Sequence, residues 1–271
     1  MTVVEFSGRR YVAAADLGLG VPVPLMVHGN ASFYMTVTHE IGERVSGGPV
    51  TQLEEYGYSA RGRGRIEVPT IRVGGRDFPA RRDVPVFDFT EERGGPVQGM
   101  LGVPFLVEAR AVVDFARDVL ILGVAPAETP DSALLAEGYR HAPIRLEAGG
   151  KTTIDVSFPA LGRAIPVTPS TVSSALSLHR PFFEGRVPLR AGPAPADQSP
   201  HGTRPGVATA DSIEYVIAGT RFLGPATLED WAEYAGVPED ELKSFGMLGF
   251  DWMKEHAANL DYANLRLYFK P

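Results

Sequence analysis

An imidazole stands beside a carboxylate at His39-Glu40, with a hydroxyl just before them at Thr38. Histidine is the side chain whose ordinary pKa lies nearest neutrality, and an adjacent carboxylate can orient it or raise its pKa, so this pair could move protons near neutral pH. On an extended chain neighbouring residues point opposite ways, and only one of the two would face a given cavity. A second polar run, Thr168-Pro169-Ser170-Thr171-Val172-Ser173, offers a row of hydroxyls. A hydroxyl alone has no accessible pKa near neutrality and does not act as a general base. Neither Ser170 nor Ser173 sits in a Gly-x-Ser-x-Gly elbow, so a serine-hydrolase triad has no support. Tyr56 and Tyr58 flank Gly57, and His201 lies in a Pro-, Ala- and Gly-rich stretch at 193–205 that reads as a loop.

Other chemistries are excluded by composition. Six histidines with no cysteine give no metal-ligand set of recognisable spacing, and His39-Glu40 is not part of His-Glu-x-x-His. Gly57, Gly62 and Gly64 are not followed by the Lys of a phosphate loop. The expectation is therefore no metal and no cofactor. A formal net charge of -7 argues against a nucleic-acid backbone or an anionic membrane as the main partner. The short run Arg61-Gly62-Arg63-Gly64-Arg65 reads as a solvated hairpin. Met1-Thr2-Val3-Val4-Glu5-Phe6 lacks the basic start and long apolar run of a signal peptide, and the expected location is cytoplasmic.

The elements that must position these groups are announced by an internal repeat. Gly-Met-Leu-Gly occurs at 99–102 and again at 246–249, and the segments 99–116 and 246–263 match at eight of eighteen positions without a gap. Five further pairs are apolar for apolar, such as Phe105 with Trp252. Each copy must form the same supersecondary unit, so the chain is a duplicated half.

Short β-type runs dominate both halves. Strands are expected at 21–27, 32–37, 64–71, 83–89 and 112–122, with turns at His28-Gly29-Asn30 and Gly74-Gly75. The second half repeats the style at 144–147, 152–158, 164–167 and 212–218, with a turn at Gly149-Gly150. Periodic apolar residues predict a helix over 227–245, N-capped by Thr227 and interrupted at Gly236-Val237-Pro238, where a second short helix begins.

The Gly-Met-Leu-Gly segment followed by a Val-Val-Asp-Phe strand resembles the second signature of the retropepsin-like and pepsin-like aspartic proteases. In that family an apolar-apolar-Gly segment threads a ψ-shaped loop beneath the catalytic Asp-Thr-Gly turn. Segments 98–122 and 246–269 carry the pattern in two copies. Residues 21–37 resemble the strands that lead into the catalytic loop, and 57–89 the flap hairpin and the strands after it. The resemblance implies an all-β, bilobal, pseudo-twofold aspartic-protease-like double barrel with short helices. Its lobes would lie at 1–125 and 141–271, with a linker at 126–140.

For activity the resemblance points elsewhere. It places the triplets after Val37 and Val167, where Thr38-His39-Glu40 and Thr168-Pro169-Ser170 stand, so that both aspartates align with threonines. No Asp-Thr-Gly or Asp-Ser-Gly occurs in the chain. The aspartic mechanism needs two carboxyls sharing a proton, and threonine supplies neither. The resemblance thus implies no aspartic protease activity. It sets His39 and Glu40 at or beside the floor of an inter-lobe cleft and Thr38 and Thr168 across the axis from one another. Ser170 falls on the second loop, and Tyr56, Tyr58 and His201 fall in flap-like positions over a bound molecule. The expected function is acid–base chemistry on a small, largely apolar molecule, by cyclisation, dehydration or isomerisation in a biosynthetic pathway. The alternative is a pseudoprotease that binds a peptide or partner protein in the cleft without catalysis.

Overall fold

The repeated Gly-Met-Leu forms the same strand twice in the computed structural model, at Gly99–Leu101 and Gly246–Leu248. The structure describes residues 1–6, 11–50, 62–87, 97–192, 206–235 and 237–271. The chain divides into two units, one comprising Met1–Glu128 with Asp261–Asn264, the other Thr129–Leu260 with Leu265–Pro271. Within the stretch expected as a linker, Ser132–Ala136 is a helix N-capped by Asp131, and Arg140–Pro143 pairs with Arg266–Phe269.

The two units share one strand order. In the first, neighbours run Gly62–Val68, Arg81–Phe87, Met35–Val37, Gly99–Leu101, Val23–Val27, Val12–Asp16. In the second they run Ala208–Ile217, Thr220–Glu229, Ser177–His179, Gly246–Leu248, Arg163–Pro169, Thr152–Phe158. In the second unit Ser157 also pairs with Val216, which links the two ends of this series. The fold is therefore mostly β, with short helices.

Alternation explains which faces are buried. In Thr152–Phe158 the side chains of Ile154, Val156 and Phe158 face the core while Asp155 and Ser157 point outward. Leu25, Val27, Val37 and Leu101 fill the first core, and Val167, Leu178, Leu228 and Leu248 fill the second. Each such fully buried aliphatic side chain contributes about 1.5–3 kcal/mol of transfer free energy. After each Gly-Met-Leu strand comes a short helix, Val103–Glu108 or Phe250–Glu255, and then a hairpin.

The repetition extends to backbone strain. Arg110 and Ala257 both take positive φ, as do Asp118 and Leu265, each pair 147 residues apart. Asp114 Oδ1 accepts from the backbone N–H of Ala116 and Arg117, and Asp261 Oδ1 accepts from that of Asn264. Arg117 and Asn264, one repeat apart, each return a side-chain N–H to the same aspartate's Oδ2.

One segment departs from the sequence expectation. The helix predicted over 227–245 is a strand, Thr220–Glu229, followed by a helix of one turn at Trp231–Ala235 and a 3₁₀ turn at Glu239–Glu241. Thr227 pairs within the sheet, and the side chain that caps the helix is Asp230, whose Oδ1 accepts from the N–H groups of Ala232 and Glu233. The parallel pairing of residues 227–229 with Ser177–His179 overrides the local helical pattern. The run expected as one strand over 112–122 is a hairpin of Val112–Asp114 and Val119–Leu122.

The repeated glycines are required by close approach of main chains. A methyl group at Gly99 would strike the carbonyl oxygen of Thr36 and lie 2.6 Å from Leu25 Cδ2, and one at Gly246 would lie 2.6 Å from the carbonyl oxygen of Ser177. Gly99→Ala and Gly246→Ala should each destabilise by about 1–3 kcal/mol or more, the range of forced overpacking. Ala257→Gly, at φ 46°, should leave stability unchanged or raise it. Melting curves of the three variants check this, and an unshifted Gly99→Ala melt would contradict it.

Candidate functional site

In each unit the Gly-Met-Leu strand lies between an incoming and an outgoing strand. In the first unit the incoming strand, Val23–Val27, is parallel to it, with Met26 opposite Met100 and Val27 opposite Leu101. The outgoing strand, Met35–Val37, is antiparallel to it. In the second unit Thr168 stands opposite Met247 and Pro169 opposite Leu248, while Ser177 and Leu178 run back antiparallel.

These registers fix which residues correspond. The N–H of His28 donates to Leu101 O at 2.8 Å, and that of Ser170 donates to Leu248 O at 2.9 Å. The N–H of Val103 donates to Ala31 O, and that of Phe250 to Ser173 O. Where the outgoing strands end, the N–H of Thr38 donates to Gln98 O and that of His179 to Phe245 O. His28 therefore corresponds to Ser170, and Thr38 to His179. Threaded turns His28-Gly29-Asn30 and Ser170-Thr171-Val172 occupy the same place in the two units.

Thr38 and Thr168, expected as counterparts, are not. Thr38 N-caps the helix His39–Ser46, its Oγ1 accepting weakly from the N–H of Ile41 at 3.5 Å. Thr168 is buried within the incoming strand of the second unit. The expected register is ten residues off in the first unit, because the short outgoing strand has the same apolar-then-polar pattern as the incoming one. In the second it is two residues off, because the incoming strand runs on to Pro169.

His39 and Glu40 start that helix. Glu40 suits its first turn, Ile41 is its buried anchor, and Gly47 ends it at φ 71°. His39 Nε2 lies 3.1 Å from Glu43 Oε1, and Glu40 pairs with Arg44 at 3.7 Å, both at i,i+4 spacing. Nδ1 of His39 is enclosed and has no hydrogen-bond partner among the described residues. Tyr56, Tyr58 and His201 lie outside the described residues, as does the 193–205 loop.

Ser170 is fully buried, and its Oγ accepts from the N–H groups of Val172 and Ser173 at 3.2 and 3.0 Å. It holds the second turn in shape, and Thr171 beside it is also buried. The first turn differs. His28 and Asn30 are partly exposed, and the His28 ring meets Phe33 edge-on with centroids 6.0 Å apart. The first turn thus carries an imidazole and an amide, the second only hydroxyls, of which that of Ser170 is turned onto its own backbone.

The second unit holds another polar cluster. His179 is fully buried; its Nδ1 accepts the N–H of Trp231 at 3.1 Å, which leaves Nε2 to donate to Glu239 Oε2 at 3.1 Å. Ser177 Oγ donates to Glu229 Oε1 at 3.2 Å, both side chains buried. Enclosure of His179 makes this a structural tie between strand end, helix start and 3₁₀ turn. In the first unit Tyr34 lies half-buried beside Arg81 and Glu108; partial burial, then the Glu108 charge, pushes its phenol up to about 12. No group of three or more His, Asp or Glu suited to a metal occurs among the described residues.

His28, Asn30 and His179 were not among the candidates read from the sequence. A signal for the first two existed: a polar-Gly-polar turn closes the apolar run Val23–Val27, as Ser170-Thr171 closes Arg163–Pro169.

This topology is that of the aspartic proteases. An aspartic proteinase from Irpex lacteus superposes at a TM-score of 0.51 with 10% identity, covering 99% of this chain and 96% of that one. Basic 7S globulin from soybean superposes at 0.48 with 12% identity over 99% and 94%. A retropepsin-like aspartic protease from Rickettsia conorii superposes at 0.34 with 14% identity over 48% of this chain and 92% of its own. No family model and no curated protein matches the sequence. The likeness to the Irpex lacteus proteinase shows the fold alone. Among the described residues no helix is long and apolar enough to cross a membrane.

The helix His39–Ser46 yields a stability prediction. His39→Ala and Glu40→Gln each remove one partly exposed i,i+4 pair and should change stability by no more than about 0.5 kcal/mol. Ser170→Ala strips a buried turn of its acceptor and should cost about 1–2 kcal/mol. Denaturant titrations of the three variants check the order. Equal losses in all three would contradict it.

Proposed function

We propose that this chain is a non-proteolytic protein on the aspartic-protease-like fold, in which the turn His28-Gly29-Asn30 performs acid–base chemistry on a small, largely apolar molecule. Cyclisation, dehydration and isomerisation are the reaction types it suits. One observation carries the proposal: the turn threaded by the Gly-Met-Leu strand, where the family resemblance sets the catalytic carboxylates, holds a partly exposed imidazole at His28. A single imidazole can take a proton from one atom and return it to another near neutral pH. It cannot reproduce two carboxyls that share a proton and activate water between them. Asn30, at the far end of the same turn, offers an amide donor for a developing negative charge on a carbonyl or alkoxide oxygen. Phe33 beside His28 supplies an apolar wall.

A second function is favoured by the second turn. Ser170 is enclosed, spends its oxygen on backbone N–H groups and brings no titratable group. A protein that only binds a peptide or partner needs none. His39 and Glu40 remain the alternative carriers of proton transfer, on the helix that follows the outgoing strand.

The test uses wild type, His28→Asn and His39→Ala with a panel of apolar alcohols, enones and epoxides, followed by mass spectrometry and NMR of the products. Conversion by wild type should fall roughly 10²–10⁴-fold in His28→Asn, the usual share of one general acid or base, with an unchanged melt, and persist in His39→Ala. Conversion that survives His28→Asn would overturn the assignment, and binding of panel members with no conversion would select the binding function. Mixed peptides should stay intact from acid to neutral pH. Pepstatin-sensitive cleavage by the pure protein would refute the non-proteolytic assignment.

A further inference from the structure

We infer that Tyr262 is a positioning residue for the His28-Gly29-Asn30 turn, because its hydroxyl donates a hydrogen bond to the carbonyl oxygen of Gly29 at 3.2 Å across 233 residues of chain. The inference rests on the proposal that this turn is the functional one, and adds the group that sets its shape.

Tyr262 lies in Asp261–Asn264, the short C-terminal segment that belongs to the first unit. Its side chain is 1% exposed, so its hydroxyl is committed to what surrounds it. Its backbone is held on both sides. The N–H of Tyr262 donates to Ala111 O at 2.9 Å. Two residues on, Asn264 is tied to Asp261 by two hydrogen bonds, and its Oδ1 accepts the N–H of Ala127 at 2.6 Å. A rigidly placed phenol therefore meets the central peptide of the turn.

The repeat shows that the hydroxyl is not there for packing. One repeat earlier the same position holds Phe115, buried just as fully and packed edge-on against Tyr11 with centroids 4.9 Å apart. An aromatic ring satisfies the fold at this position without any polar atom. The oxygen of Tyr262 is the difference between the copies, and it is spent on the turn that bears His28.

The consequence is geometric. Rotation of the Gly29 carbonyl would tilt the Gly29–Asn30 peptide and change the backbone angles on either side of it, moving the side chains of His28 and Asn30 relative to one another. The hydrogen bond restrains that rotation, and burial raises the phenol's pKa far above the ordinary tyrosine value, so it stays a donor at any working pH. Catalytic groups need such supporting contacts to hold their orientation.

The experiment reads His28 directly, in ligand-free protein, by NMR of the ¹³C- and ¹⁵N-labelled imidazole through a pH titration. In Tyr262→Phe the His28 ring signals should shift and its titration midpoint should move by about 0.3 unit or more. In the control Tyr268→Phe, which removes a hydroxyl that accepts the N–H of Asp131, His28 should not move. A Tyr262→Phe protein that melts lower while His28 titrates as in wild type would overturn the inference and leave a merely structural hydroxyl. A second reading needs no variant: in wild type the Gly29 carbonyl carbon should show an isotope shift on exchange into D₂O that follows the Tyr262 hydroxyl, and its absence would also overturn the inference. Because no substrate enters either measurement, failure here is distinguishable from failure of the proposed chemistry.

Discussion

Everything in each unit depends on one main-chain arrangement: a three-residue strand that hydrogen-bonds to an incoming strand on one side and an outgoing strand on the other. That strand forces the chain between incoming and outgoing strands to pass over it as a turn, and the turn's residues are what each unit presents. The approach is so close that Gly99 and Gly246 admit no Cβ, and Gly102 and Gly249 have carbonyl oxygens of the residues that follow each turn, Ala31 and Phe33 or Ser174 and Ala175, within the space a methyl would need. Replacing buried side chains alters the density of the core around this arrangement. Replacing these glycines pushes the strands apart.

The duplication was legible because it is written twice in the same letters. Gly-Met-Leu-Gly, the Asp at the hairpin and the aromatic after it recur at one spacing, and the structure repeats even their positive φ at Arg110 and Ala257. Alternation located 152–158 to the residue, since its outward positions are polar and its inward ones apolar. The helix expected over 227–245 does not form as such: Leu228, Trp231 and Tyr234 suit a helical stripe, but long-range pairing with Ser177–His179 decides the matter for Thr227 to Glu229. Local propensity carries no information about a partner strand fifty residues away.

The site was legible only in part. That a turn passes over the Gly-Met-Leu strand followed from the pattern; its register did not. Met35–Val37 is an apolar strand ending in a polar run, and so is Val23–Val27, and nothing in side-chain type says which of them runs parallel to Gly99–Leu101. The helical character of His39–Ser46 was the overlooked signal: Thr38 as cap, Glu40 in the first turn, partners at Glu43 and Arg44, and Gly47 as stop. Those features mark a helix start, not the extended turn that a threaded strand imposes. Tyr262 could not be found from spacing, because its partner Gly29 lies at the other end of the chain.

The two turns have unlike chemistry on a like frame. One holds a partly exposed imidazole and amide; the other folds its serine hydroxyl onto its own N–H groups. That asymmetry is the ground for proposing a single proton-handling turn in place of a symmetric dyad. The direct test of this claim is a backbone-amide chemical-shift map recorded with the tightest-binding member of a small apolar fragment library. With the first turn as the site, the largest perturbations fall on residues 28–31. Perturbations centred on 38–44, with 28–31 unmoved, would contradict it.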